Sequence, residues 1–360
     1  MTLYIGLMSG TSMDGIDAAL MDVQSHTLIS HLTEPYSASL KASVESLIIN
    51  KAVTIAQIFQ THQLLGEAFA EAANNLITKA NIDKSLIQAI GSHGQTIVHA
   101  PKEDPPYTVQ LACPYTIALR TGLPVVADFR TKDLLLKGQG APLAPIYHQE
   151  VFKSLSKPLA VVNIGGVANI SFLDKDNKVK GYDVGPGNCL LDAFAQKCLN
   201  LPYDENGAFA MQGEVIPHLL EALLDDPFFS LGAPKSLDKA YFSLAKLNHL
   251  LKDDFANENI QATLTAFTAH AICAAIKQEN VKLDNLILCG GGAHNKFLLA
   301  TIKSLLKDTK VMSSNEYNIS CDYLEAMLCA WLAYMRMQNK PLNLAAITGG
   351  GSALVGVIYC

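Results

Sequence analysis

Apolar residues recur along the chain in short runs broken by glycine and small polar residues, and the first such pattern spans Leu3 to Leu20. Tyr4, Ile5 and Leu7 predict one strand and Ile16 to Val23 a second. Between them Ser9 to Gly15 is small, polar or glycine apart from Met13, which predicts a β-hairpin with a polar tip. Thr27 to Leu40 reads as a third strand with polar interruptions. Thr54 to Ala80 then sets Ile55, Ile58, Phe59, Leu65, Phe69, Leu76 and Ile77 at helical spacing. Leu86 to Ile90 and Thr96 to His99 flank Gly91 to Gln95 as strand, turn and strand, and Pro101 to Pro106 is a surface turn. Val125 to Arg130 is an apolar strand closing on two opposite charges, Asp128 and Arg130.

Leu159 to Leu173 repeats the opening design of apolar strand, glycine turn and apolar strand. Two such hairpins about 155 residues apart, each opening a run of strands followed by helices, predict a duplicated α/β fold in two lobes. Lys137 to Pro145 is the expected crossing between them. The second lobe continues through Gly181 to Asn188, a helix from Cys189 to Asn200, and helical patterns at Val215 to Leu224, Phe242 to Leu251 and Ala262 to Gln278. Asn285 to Ala300 reads as a buried strand, a triple glycine and a helix start, and Asp322 to Tyr334 as a helix. Leu354 to Tyr359 is a last strand returning to the first lobe, so the expected lobes are residues 1–130 with 340–360, and 131–339.

Composition narrows the function. The chain has 360 residues, 49% apolar and only 17% charged, enough for two cores and too apolar for disorder. A net charge of −6, with no basic cluster interleaved with aromatics, argues against nucleic acid. No stretch has the length of a membrane span or the layout of a signal peptide, so a cytoplasmic protein is expected. Eight cysteines form no C-x-x-C pair and mostly lie in apolar runs, as buried thiols do.

The chemistry concentrates at the glycine turns. Glycines let backbone N–H groups converge, and Ser and Thr hydroxyls add donors, so Gly10 to Asp17 suits an anion; Asp14 and Asp17 suit a cation beside it. The same residues also make ordinary turns. Gly10 and Gly15 satisfy half of a P-loop, but Ile16-Asp17 stand where Lys-Ser/Thr is required, and Gly290 to Asn295 puts Asn at the last glycine of a dinucleotide fingerprint. Gly290 to Gly292 would let a flat ring lie on the backbone, or simply turn strand into helix. Asp183 is the candidate reactive carboxylate, with a turn former as the alternative. Asp128 and Arg130 face a cleft or pair with each other. Glu325 has a ready structural role as third residue of a capping box begun by Asp322.

The ordered set Met8 to Asp17, Ser92 to Thr96, Asp128 to Arg130, Gln139 to Leu143, Asn163 to Asn169, Asp183 to Asn188 and Cys289 to Asn295 closely resembles the anhydro-N-acetylmuramic acid kinases, of the actin, sugar-kinase and heat-shock ATPase superfamily. The resemblance covers the whole chain. It implies a two-lobed actin-like ATPase fold of duplicated RNase H-like domains with an interdomain nucleotide cleft. It further implies an ATP-dependent kinase that opens the 1,6-anhydro bond with water and phosphorylates O6, in peptidoglycan recycling. On that resemblance Asp183 is the catalytic base and Glu325 a substrate or water ligand. Gly10, Thr11, Ser12, Met13, Asp14, Gly15, Ile16 and Asp17, with Gly165, Gly166 and Asn169, serve the phosphates, and Gly290, Gly291 and Gly292 the adenosine. Arg130, His93 and Gln95 are further substrate contacts. Mg²⁺ would bridge phosphate oxygens with few direct protein ligands, and the chain would form a homodimer. A kinase of the same superfamily for another sugar, or a nucleotide-gated sensor of cell-wall fragments, are the alternatives.

Overall fold

The structure is a computed structural model that describes all residues except 11, 12, 14, 50, 51, 177, 233, 234, 236, 238–240, 252 and 253. The chain divides into two compact units, Met1–Tyr147 with Tyr323–Cys360, and His148–Asp322.

The first unit starts with β1 (Leu3–Ser9), β2 (Gly15–Asp22) and β3 (Thr27–Pro35), an antiparallel meander, followed by α1 (Ala38–Ile49) and α2 (Ile55–Ala80). The third strand stops at Pro35, and residues from Ala38 onward are helical rather than extended. Helix α2 begins where its pattern predicts, because Thr54 and Gln57 form a reciprocal capping box, with Gln57 N–H on Thr54 Oγ1 at 3.2 Å and Thr54 N–H on Gln57 Oε1 at 2.8 Å. Next come β4 (Ile87–Ala100), β5 (Tyr107–Leu111), α3 (Pro114–Thr121), β6 (Val125–Ala127), α4 (Thr131–Leu135) and α5 (Ala144–Val151). The expected turn at 91–95 is instead the middle of one long strand, β4. Its first half pairs parallel with β1 and β6 and its second half antiparallel with β5, across a register shift at Ser9 and Gln95.

The second unit forms β7 (Leu159–Ile164), β8 (Val167–Leu173), β9 (Val179–Pro186) and α6 (Cys189–Leu199), and then α7 (Pro217–Leu224), α8 (Pro227–Ser230) and α9 (Leu244–Leu250). The long α10 (Asn257–Gln278), β10 (Asn285–Cys289), α11 (Lys296–Leu305) and β11 (Lys310–Ser313) complete it. Helix α10 begins before the apolar run that predicts it, and is buried over most of its length against the core of Leu190, Phe194, Leu219, Phe228 and Phe242.

The chain then returns to the first unit as α12 (Leu324–Met337), the short pair β12 (Leu342–Asn343) and β13 (Ser352–Ala353), and β14 (Val357–Tyr359), which joins β6 antiparallel. The unit bounds fall at 147 and 323, where the sequence reading had 130 and 340. The reason is α12: Leu3, Ile5 and Leu7 of β1 pack with Phe69 and Leu76 of α2, while the opposite face, at Gly6 and Gly91, lies directly under α12. A Cβ on Gly6 would overlap the Ala326 carbonyl, and one on Gly91 the Cys329 carbonyl. Burial on both faces explains why β1 reads as a nearly unbroken apolar run.

Within each unit the sheet has the same core order. The first runs β6-β4-β1-β2-β3 and the second β11-β10-β7-β8-β9, with parallel and antiparallel pairs in the same places. The first adds β14 and β5 at its margins.

Candidate functional site

In open sheets with parallel strands, ligands bind beyond the carboxyl ends of those strands. In the first unit β1, β4 and β6 are parallel, and Ser9 with Gly10, then His93 with Gln95, then Arg130 lie at or just past the ends of their paired stretches. Ser9 Oγ is 2.8 Å from Gln95 Oε1 and 2.9 Å from the Gly15 carbonyl. Gln95 is fully buried and also receives Tyr36 OH at 3.3 Å, while its Nε2 reaches the Gly10 carbonyl at 3.4 Å. Gln95 thus braces the β1–β2 connection from beneath, and burial pushes the Tyr36 phenol up to about 12. Met13 N–H bonds to the Gly10 carbonyl at 3.3 Å. Thr11, Ser12 and Asp14 lie outside the described residues, so their expected phosphate role has no structural counterpart here.

Arg130 donates from Nε to His93 Nε2 at 3.0 Å and from Nη1 to the Gly140 carbonyl at 2.7 Å. Burial, and then the Arg130 charge, hold the His93 pKa down to about 3. His93 is therefore neutral, with Nε2 the acceptor and Nδ1–H donating to the Gly94 carbonyl at 3.0 Å. The expected alternative of an Asp128–Arg130 salt bridge is not formed: Asp128 Oδ1 instead accepts the Thr131 N–H at 3.1 Å.

Glu325 sits in the first turn of α12, and the packing of that helix on Gly6 and Gly91 sets where it projects. The capping-box reading fails here, because the helix is capped at Tyr323 without a side-chain bond and Asp322 is engaged elsewhere. Loss of hydration and the nearby Asp17 charge raise the Glu325 pKa, and Arg130 opposes them. Asp17, on β2, accepts from Thr33 Oγ1 at 2.7 Å. Ile16 is buried in the core and Gly15 pairs with Pro35 in the sheet. One turn beyond Glu325, the Cys329 thiol is pushed up to about 12, first by burial and then by Glu325; neither sequence pattern nor motif singled it out.

The second unit presents a different arrangement. Asn163, Asn169 and Asp183 lie in register across β7, β8 and β9, one polar row at the end of the hairpin. The Gly165-Gly166 turn beside them is tied down from the start of α6: Asn188 N–H reaches the Gly165 carbonyl at 2.7 Å, and Gly187 and Cys189 N–H reach the Gly166 carbonyl at 3.0 and 3.1 Å. Asn188 Nδ2 adds a bond to the Ile164 carbonyl at 3.1 Å, so Asn188, at the N-cap position of α6 without a side-chain cap bond, ties the turn to the helix.

Gly290 follows β10, the parallel neighbour of β7, at φ +78°, a conformation that favours glycine. A Cβ there would overlap Asn163 Oδ1, and one on Gly292 would overlap the Ile164 side chain, whereas Gly291 is exposed. The triple glycine therefore packs against the β7–β8 hairpin and leaves its middle residue open. The Asn295 that breaks the dinucleotide fingerprint is a helix cap, accepting the Leu298 N–H at 3.0 Å to start α11.

Asp183 is held by its backbone, which donates to the Lys235 carbonyl at 3.0 Å, and by its carboxylate, which accepts the Leu237 N–H at 2.8 Å. Burial outweighs that bond and lifts its pKa to about 6. Such a carboxyl ionises close to neutral pH, the condition a general base needs.

A family model described as anhydro-N-acetylmuramic acid kinase matches residues 2–360. The chain belongs to the anhydro-N-acetylmuramic acid kinase family. Curated relatives carrying that name include one from Legionella pneumophila (strain Paris), 51% identical over all of this chain and 98% of its own length. Another, from Vibrio vulnificus (strain YJ016), is 42% identical over 99% of this chain and 98% of its own length. A third, from Coxiella burnetii (strain Dugway 5J108-111), is 42% identical over 99% and 97%.

Among solved structures, the activator of the 2-hydroxyisocaproyl-CoA dehydratase from Clostridium difficile with bound ADPNP is similar over 94% of this chain and 96% of its own, at 12% identity and a TM-score of 0.52. At that identity the likeness speaks for the fold alone. With the repeated sheet order it establishes the actin-like ATPase fold that the sequence implied, and family membership makes the chain a kinase.

Proposed function

We propose that this kinase uses ATP to open the 1,6-anhydro ring of anhydro-N-acetylmuramic acid and phosphorylate O6, giving N-acetylmuramic acid 6-phosphate. The observation that carries the reading is Asp183, a carboxyl whose pKa of about 6 suits it to take a proton from water at neutral pH. Water activated by Asp183 adds to C1, the C1–O6 bond breaks, and the released O6 attacks the γ-phosphorus with ADP as leaving group. Ring opening thereby supplies the nucleophile for phosphoryl transfer, a step in which positioning and charge neutralisation dominate.

Gly165, Gly166 and Asn169, with the segment Gly10 to Asp17, are the phosphate contacts of this proposal. Gly290 to Gly292 serve the adenosine, with the open Gly291 as the surface for a flat ring. Asp17 and Glu325 are hard oxygen donors close enough for one to raise the pKa of the other, a set that fits Mg²⁺ held largely through water. The ion would neutralise charge on the β- and γ-phosphate oxygens. Arg130, oriented by neutral His93, and Glu325 contact the sugar, and Gln95 supports them by bracing the turn.

None of the eight cysteines is in a disulfide, as suits the reducing cytoplasm of this proposal, and among the described residues no helix is long and apolar enough to cross a membrane. Family resemblance supports a homodimer and a role in cell-wall recycling. Incubation with ATP, Mg²⁺ and the anhydro sugar in ¹⁸O-water tests the mechanism. The label should appear at C1 of a 6-phosphate, and phosphorylation without label would reject hydrolytic opening.

A further inference from the structure

Beside the triple glycine, three side chains from two segments of the second unit converge on one point. His294 ends the short helical turn that follows β10, and Cys321 and Asp322 close the segment after β11. His294 Nε2 lies 2.8 and 3.0 Å from the two Asp322 oxygens and 3.3 Å from Cys321 Sγ, and one donor atom from each residue falls within 4.8 Å of the others. We propose that His294, Cys321 and Asp322 form a binding site for a divalent transition-metal ion of the zinc class, distinct from any magnesium on the phosphates.

Two simpler accounts leave observations unexplained. An exposed His–Asp ion pair stabilises by only about 0–1 kcal/mol and does not require a buried thiol aimed at the same nitrogen. A Cys–His–Asp nucleophilic relay needs the carboxylate on the opposite ring nitrogen from the thiol, so that it can orient the imidazole. Here both contact Nε2, the arrangement of three ligands around a shared centre.

The donor set selects the ion. Thiolate, imidazole and carboxylate together favour Zn²⁺ and its borderline-soft relatives over Mg²⁺ or Ca²⁺, which take oxygen. Metal–ligand bonds of about 2.0–2.3 Å at tetrahedral angles place donors about 3.3–3.7 Å apart. The contacts to His294 Nε2 already lie near that spacing, and the donors, all within 4.8 Å of one another, need close by no more than about 1 Å to admit the ion. The sulfur is already oriented. Cys321 N–H bonds to Asn315 Oδ1 at 3.0 Å, Asn315 Nδ2 reaches Cys321 Sγ at 3.2 Å, and the Cys321 carbonyl accepts the Gly290 N–H at 2.8 Å. An amide donor on the sulfur is the outer support that a metal-bound thiolate uses. The His294 and Asp322 side chains are about half exposed, at 52% and 45%, which leaves an entry path and room for a water as fourth ligand. A bound ion would tie the turn at 290–294 to residues 321–322.

The test uses the full chain, reduced and freed of metal by chelation, titrated with Co²⁺. A thiolate-to-cobalt charge-transfer band with the visible bands of a four-coordinate ion should grow to a single ion per chain and vanish on addition of Zn²⁺. Cys321→Ser should abolish the charge-transfer band, and His294→Gln, at a half-exposed position, should weaken Co²⁺ binding by about tenfold or more. No band, or a band that persists unchanged in both variants because another of the eight cysteines holds the ion, would overturn the proposal. Because the readout is spectroscopic, it stands apart from the outcome of the ¹⁸O experiment.

Discussion

The two sheets share one strand order, yet they treat their polar residues in opposite ways. In the first unit the groups beyond the parallel strands are locked to one another: Gln95 beneath the β1–β2 connection, His93 with Arg130, Arg130 with Gly140, and Asp17 with Thr33. In the second the glycine turn is fastened by backbone bonds from Gly187, Asn188 and Cys189, and the Asp183 carboxylate accepts, among the described residues, the Leu237 N–H, at a pKa that allows it to take up or release a proton near neutrality. Duplication of a scaffold thus fixes where strands end and leaves open what their ends do. In the proposed reaction the locked cluster orients, while the carboxylate of raised pKa takes the reactive role.

The largest effect should come from removing that carboxylate. Asp183→Asn keeps an acceptor for the Leu237 N–H and is expected to lower kcat by roughly 10²–10⁴-fold while nucleotide affinity, measured by calorimetry, stays near the parent value. A rate within threefold of the parent would assign the reactive role elsewhere and erase the contrast between the units.

Glycine substitutions probe the scaffold itself. Gly6→Ala drives a Cβ into the backbone of α12 and should cost more than about 3 kcal/mol in a denaturant melt. Gly165→Ala has nothing closer than 3.7 Å and should change stability by less than about 1 kcal/mol while raising KM for ATP. Equal stability losses would show that the hairpins are not packed as differently as described.

The pH dependence follows from the raised pKa of Asp183. The carboxylate is the active form, so kcat should climb as pH rises through about 6 and level off above it; a limb near pH 4 would place Asp183 at an ordinary carboxylate value. For stability the sign is the reverse. A carboxyl whose folded pKa exceeds its unfolded one is best tolerated below the unfolded value, and its ionisation costs up to about 3 kcal/mol once pH passes the folded one. Asp183→Asn should therefore melt a few degrees higher than the parent at pH 7.5 and no higher at pH 4. The smallest change is expected for Arg130→Lys, which loses the two-point donation to His93 and Gly140 and should raise KM for the sugar about tenfold with kcat little altered.

Much of this was legible in the chain. Apolar runs broken by glycine marked both hairpins, helical spacing of apolar residues from Ile55 marked α2, and the ordered motifs pointed to the family. Those signals are local: periodicity, caps and turn residues act over a few positions. What misled was also local. Gly91 to Gln95 resembles a turn, but Gly91 is there to admit α12, which lies more than 200 residues away in the sequence. Asp322 and Glu325 have the spacing of a capping box, but Asp322 is drawn to His294.

By itself the sequence determined the two glycine-turn hairpins, the long helices α2 and α10, the duplication and the residue types available for chemistry, because the hairpins and helices depend on neighbours within one or two turns. Only the tertiary structure decided which unit owns α12, that His93 is neutral, that Asp183 titrates near pH 6, and that Cys321 meets His294 and Asp322. Each of these depends on burial or on partners distant in sequence, and neither leaves a periodic trace along the chain.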